Sequence, residues 1–100
     1  MDRVIHFLRQ PHKLPVNTAV VYIGRGMPRY ELARSVFANP FPIKAPATRE
    51  DVIARYAEWL PTRPEIMQEL RALSLEQDIL FTCWCAPKVC HGDVLVALRK

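Results

Sequence analysis

Two apolar runs sit far apart in this chain, with two amphipathic helical patterns between them. That arrangement restricts the fold more than any other feature. Val16 to Ile23 (VNTAVVYI) is rich in β-branched residues and stops at Gly24-Arg25-Gly26, as a buried strand entering a turn does. Ile79-Leu80-Phe81 is the second run, within a strand read over Asp78 to Cys83. Between them, Val52, Ile53, Tyr56, Trp59 and Leu60 recur at helical spacing behind Thr48 and Asp51, which have the spacing of a capping box. Pro61 stops that helix, and Thr62 with Glu65 repeats the capping spacing ahead of Ile66, Met67, Leu70 and Leu73. Strands joined by helices lie parallel, through a right-handed crossover. A last amphipathic stretch, His91 to Arg99, turns Val94, Leu95 and Leu98 inward and sets Arg99 and Lys100 at its negative end. The expected fold is therefore α/β: a small three-layer-like domain with a short parallel sheet in the order β-loop-α-α-β-α. Val4 to Leu8 is available as an extra N-terminal edge strand.

One hundred residues make a single domain, 1–100, and a hydrophobic fraction of 50% is enough for a core without disulfides. The formal charge of +4 favours anionic company, but it is spread along the chain and is a weak pointer to duplex nucleic acid. Met1 to Gln10 lacks the apolar stretch of a signal peptide, and no run approaches transmembrane length. All three cysteines fall between Cys83 and Cys90, unlike a distributed disulfide framework. The expectation is a reduced, cytoplasmic protein with no membrane contact.

Ligands of parallel α/β sheets sit beyond the carboxyl ends of the strands. Those ends are Gly24-Arg25-Gly26 and Cys83 to Cys85, so neighbouring strands would bring both loops to one crevice. A long loop over residues 27–47, carrying Arg34, Ser35 and Asn39, would form its rim, and loops of that length inside small domains are usually functional. Arg25 offers a bidentate match to phosphate or carboxylate, or is simply an exposed turn arginine. Asn39 precedes proline and ties down loop backbone or touches ligand. Phe37 and Phe41 suit core plugging better than base stacking.

The cysteine stretch allows three readings. In the first, Cys90 at a helix N-terminus is a nucleophilic or redox thiol of lowered pKa, assisted by His91 or Asp93. In the second, Cys83, Cys85, Cys90 and His91 form a Cys₃His zinc set, although the spacing is not that of a standard finger. In the third, the cysteines are buried and structural, and His91, Gly92 and Asp93 form a helix cap with anion-binding backbone. Asp93 also suits helix capping, base catalysis or a ribose hydroxyl.

Val21-Tyr22-Ile23-Gly24-Arg25, Ser35-Val36-Phe37-Ala38-Asn39-Pro40-Phe41, Tyr56-Ala57-Glu58-Trp59-Leu60, Cys83-Trp84-Cys85-Ala86-Pro87 and Cys90-His91-Gly92-Asp93-Val94-Leu95 occur in an order that resembles the DUF4326 family, small proteins of bacteria and phages whose function is unknown. The resemblance covers roughly residues 16–98. Against its pattern, Gly26 to Arg34 is an enlarged loop. The cysteine-rich end is also distantly similar to the DUF488 group. Both resemblances imply an α/β fold, and neither supplies a reaction.

The expected function is binding of a nucleotide-like or other anionic small ligand, with Gly24, Arg25, Ser35, Asn39, Cys83 and Gly92 as contacts and Cys90, His91 and Asp93 as the catalytic candidates. Hydrolysis or group transfer on nucleosides or nucleotides is the reaction class, by analogy of fold alone. The alternatives are a zinc-stabilised module that binds nucleic acid, and a bacterial or phage protein-interaction factor without chemistry.

Overall fold

The computed structural model describes residues 1–41, 44, 46–73, 75–86 and 88–99. Strand β1 is Arg3–His6, β2 is Thr18–Tyr22 and β3 is Asp78–Cys83; the helices are α1, Arg49–Trp59, α2, Pro64–Ala72, and α3, Gly92–Leu98. The strands form one parallel sheet in the order β1-β3-β2. The expected N-terminal edge strand thus exists, on the side of β3 away from β2.

Side chains alternate along a strand, so Ile79, Phe81 and Cys83 share one face of β3. Tyr56 from α1, Leu60, Leu70 from α2 and Leu95 from α3 join these residues in one core cluster with Ile23 and Phe37. The middle strand is buried over Ile79 to Cys83, which is why Ile79-Leu80-Phe81 reads as a continuous apolar run instead of an alternating one.

Local chemistry fixes the ends of the elements. Thr48 Oγ1 accepts from the Asp51 backbone N–H at 3.1 Å, and Asp51 returns the bond to the Thr48 N–H at 2.9 Å. This complete capping box starts α1 at Arg49. The second expected box does not form. Thr62 lies in a 3₁₀ turn over Leu60–Thr62 and donates its hydroxyl to the Trp59 carbonyl at 2.6 Å. Arg63 is the residue before α2, and Pro64, which needs no N–H partner in the first turn, begins it. The long loop after β2 holds a 3₁₀ turn at Pro28–Tyr30, inside a small loop closed by paired backbone bonds between Met27 and Leu32. Lys100, expected at the negative end of the last helix, lies outside the described residues.

The base of the sheet is strapped by charge. The Met1 ammonium group pairs with Asp78, and Asp2 accepts from the Ile79 N–H at 2.9 Å and from Arg99 Nε at 2.6 Å. Arg99 also donates to the carbonyls of Leu73 and Gln77. None of the described helices is long and apolar enough to cross a membrane.

Candidate functional site

At the carboxyl ends of β2 and β3 the chain leaves a cavity of about 300 Å³. Gly24 and Arg25 come to it from the end of β2, and Cys83, Trp84 and Cys85 from the end of β3. A direct clamp holds these two ends together. Trp84 Nε1 donates to the Tyr22 hydroxyl at 2.9 Å, and that hydroxyl donates to the Arg25 carbonyl at 2.5 Å. Phe7 and Tyr30 pack their rings against Trp84, with centroids 5.1 and 5.2 Å away. The enlarged loop over Gly26 to Arg34 therefore sends Tyr30 back onto the outer face of this wall.

The opposite wall is built from the long loop and α1. Asn39 Oδ1 accepts from the Phe41 N–H at 2.9 Å, and Asn39 Nδ2 reaches the Val52 carbonyl at 3.5 Å, so its amide holds loop backbone against helix. Phe37 is buried in the core, and Tyr56 donates its hydroxyl to the Phe37 carbonyl at 2.7 Å. Burial pushes the Tyr56 phenol well above its ordinary range, so it stays a donor at every working pH. Phe41, Val52 and Ile53 then present apolar surface to the cavity.

Arg49 is the residue that sequence reasoning missed. It is the first residue of α1, lines the cavity and donates from Nη1 to the Val89 carbonyl at 3.3 Å. Its position was the available signal: a cation in the first turn opposes the helix dipole and serves something other than the helix.

The sulfurs lie on the cavity floor. Cys83 and Cys90 are buried, with Sγ atoms 3.2 Å apart, whereas Cys85 is half-buried. Hydrogen bonds from Cys83, then from Cys90, hold the Cys85 thiol far below its ordinary range against the opposing effect of burial, and the Arg49 guanidinium adds a smaller lowering. The bond with Cys85 pushes Cys83 upward, and the bonds with Cys83 and then Cys85 push Cys90 upward, since each favours its donor form. Cys90 is thus shifted upward, opposite to the lowering expected at a helix N-terminus, and Cys85 is the sulfur that shares the cavity lining with Arg49. Below Cys90, His91 Nε2 lies 2.8 Å from the Ile23 carbonyl oxygen and Nδ1 lies 3.6 Å from Cys90 Sγ. A carbonyl only accepts, so Nε2 carries the proton and Nδ1 offers its lone pair to the thiol. Burial keeps His91 below its usual pKa, hence neutral.

The structure thus brings Gly24, Arg25, Asn39, Cys83, Cys85, Cys90 and His91 to one cavity. It places the other named residues in supporting positions. The Ser35 N–H donates to the Gly24 carbonyl at 3.0 Å, and Ser35 Oγ accepts from the Phe37 N–H at 3.0 Å. Asp93 accepts from the Cys90 N–H at 3.0 Å, which is a cap for the start of α3. Gly92 is buried where a Cβ would come within 2.8 Å of both Ile23 Cδ1 and Val4 Cγ2. Cys83, Cys90 and His91 form a hydrogen-bonded chain beside Cys85, and among the described residues no group of three or more His, Cys, Asp or Glu side chains is arranged to hold a metal ion.

A family model described as a domain of unknown function, DUF4326, matches residues 7–100. The chain matches no curated protein and no solved structure.

Proposed function

We propose a function for this chain, which belongs to the DUF4326 family, from its crevice: it binds a small anionic, nucleotide-like ligand at the carboxyl ends of β2 and β3. The observation that carries this reading is the pairing of Arg25 and Arg49, from separate elements, on one cavity with apolar and aromatic walls. Two guanidinium groups suit phosphate or carboxylate oxygens. Phe41, Trp84, Val52 and Ile53 suit a planar, weakly polar body such as a base. The cavity's 300 Å³ lies at the lower end of the range of small-ligand pockets, roughly 300–1,000 Å³. Where the ligand is turned over, the reaction class is hydrolysis or group transfer on a nucleoside or nucleotide, by analogy of fold.

Isothermal titration calorimetry of the reduced protein against nucleoside mono-, di- and triphosphates tests the reading. A phosphate-bearing ligand should bind, the free nucleoside should bind far more weakly, and Arg25→Ala and Arg49→Ala should each lower affinity by roughly tenfold or more, the scale of a lost charge-assisted hydrogen bond. Affinity that is indifferent to both arginines, or no binding across the series, would sink it.

A further inference from the structure

Nothing in a ligand-binding reading requires three sulfurs on the cavity floor. Their arrangement is graded. Cys85 is accessible from the cavity, Cys90 is 2% exposed beneath it, and Cys83 lies 3.2 Å from Cys90, sulfur to sulfur. The surroundings are graded as well. Arg49 lines the same cavity as the accessible sulfur, and the neutral His91, its proton committed to the Ile23 carbonyl, faces the buried one. Purely structural cysteines need neither a flanking cation nor a base.

We propose that these thiols form a thiol–disulfide exchange site, in which Cys85 attacks a small disulfide bearing carboxylates and Cys90 resolves the product. Arg25 and Arg49 on the cavity wall supply the partners for those carboxylates. In the first step the Cys85 thiolate attacks one sulfur of the substrate. The substrate S–S bond breaks, a mixed disulfide forms on Cys85, and one small thiolate leaves. In the second step Cys90 passes its proton to His91 Nδ1 and attacks the Cys85 sulfur. The mixed disulfide breaks, a Cys85–Cys90 disulfide forms, and the second small thiolate leaves with the proton from His91. Two protein thiols are oxidised and one small disulfide is reduced to two thiols, so electrons and protons balance. Cys85 is the half-buried sulfur that faces the cavity while Cys83 and Cys90 are buried, which supports the order of events, because the attacking thiolate must be reached by the substrate.

This site rests on sulfur geometry and goes beyond the nucleotide reading, so either reading can fail alone: calorimetry reports one and thiol mass spectrometry the other. The experiment mixes reduced protein with glutathione disulfide and follows products by rapid acid quench and peptide mapping. Wild-type protein should gain an internal disulfide that includes Cys85. Cys90→Ser should accumulate a glutathione adduct on Cys85, and Cys85→Ser should react at least tenfold more slowly, the effect of removing the one accessible thiolate. A first adduct on Cys83 or Cys90, or a Cys85→Ser variant as fast as wild type, overturns the proposal. Arg49→Ala retains all three thiols and guards against a folding artefact. It should slow reaction with glutathione disulfide more than reaction with the uncharged bis(2-hydroxyethyl) disulfide, and equal rates with wild type for both reagents would overturn the assigned site.

Discussion

His91 Nε2 donates to the carbonyl oxygen of Ile23 at 2.8 Å, which ties the entrance of α3 to the end of β2 and fixes the imidazole tautomer. Burial holds the folded-state pKa of His91 below its ordinary value. The unfolded chain, with a histidine pKa of about 6.5, therefore binds more protons than the folded one just below that pH, and stability must fall as pH drops through the window. Urea midpoints measured from about pH 7 to pH 5 should decline, and His91→Gln should flatten part of the decline while lowering stability at neutral pH. A His91→Gln profile parallel to wild type would show that His91 does not titrate with unfolding.

Arg99, with a side chain 3% exposed, pairs with Asp2 and holds two further carbonyls, so it joins the base of the sheet to α3. A hydrogen bond to a charged group contributes about 1.5–3 kcal/mol, and Arg99→Ala should lose a stability of that order. Burial works to raise the Asp2 pKa, but hydrogen bonds from Arg99 and the Ile79 N–H outweigh it and the net shift is downward. Asp2 thus contributes stability above the unfolded carboxylate pKa of about 3.9, and that contribution fades as pH falls through its lower folded value. Asp2→Asn should show a shallower acid limb in a thermal-melt series.

Gly92→Ala should destabilise the fold. The added methyl would stand 2.8 Å from the short side chain of Val4 and from the tip of Ile23. Overpacking of this kind costs about 1–3 kcal/mol. A paired Val4→Ala substitution should recover part of the loss, measurable as a double-mutant cycle in guanidinium chloride.

Thr48→Ala removes one half of the capping box that starts α1 at Arg49. The expected loss is about 1 kcal/mol. Any ligand that depends on Arg49 should bind this variant more weakly than a Thr62→Ala control, since Thr62 caps no α-helix here and only closes a 3₁₀ turn.

Much of this architecture was legible because it is built from local signals. Ile79-Leu80-Phe81 is a continuous apolar run of the kind a strand buried on both faces carries, and Thr48 with Asp51 is a reciprocal cap that works within one turn. Thr62 and Glu65 have the same spacing, yet Pro64 takes over the start of α2 and leaves that spacing without consequence. The meeting of the strand ends followed from the crossover rule. The ranking of the sulfurs did not, because it depends on burial and on Arg49, which lies far from the cysteines in the chain and reaches them only through the packing of α1. Asp93 had the chemistry of a catalytic group, but the structure commits its carboxylate to the Cys90 backbone N–H.

The middle strand of the sheet is the last of the three to be synthesised. On a ribosome, β1 and β2 emerge with no ladder to join, because each pairs only with β3. Their apolar residues and open backbone groups wait until residues 78–83 leave the exit tunnel. The sheet, and the crevice at its end, then assemble in one late event that closes long loops, the kind of topology that folds slowly. Chains stalled before Cys83 should be the ones that holdase chaperones retain.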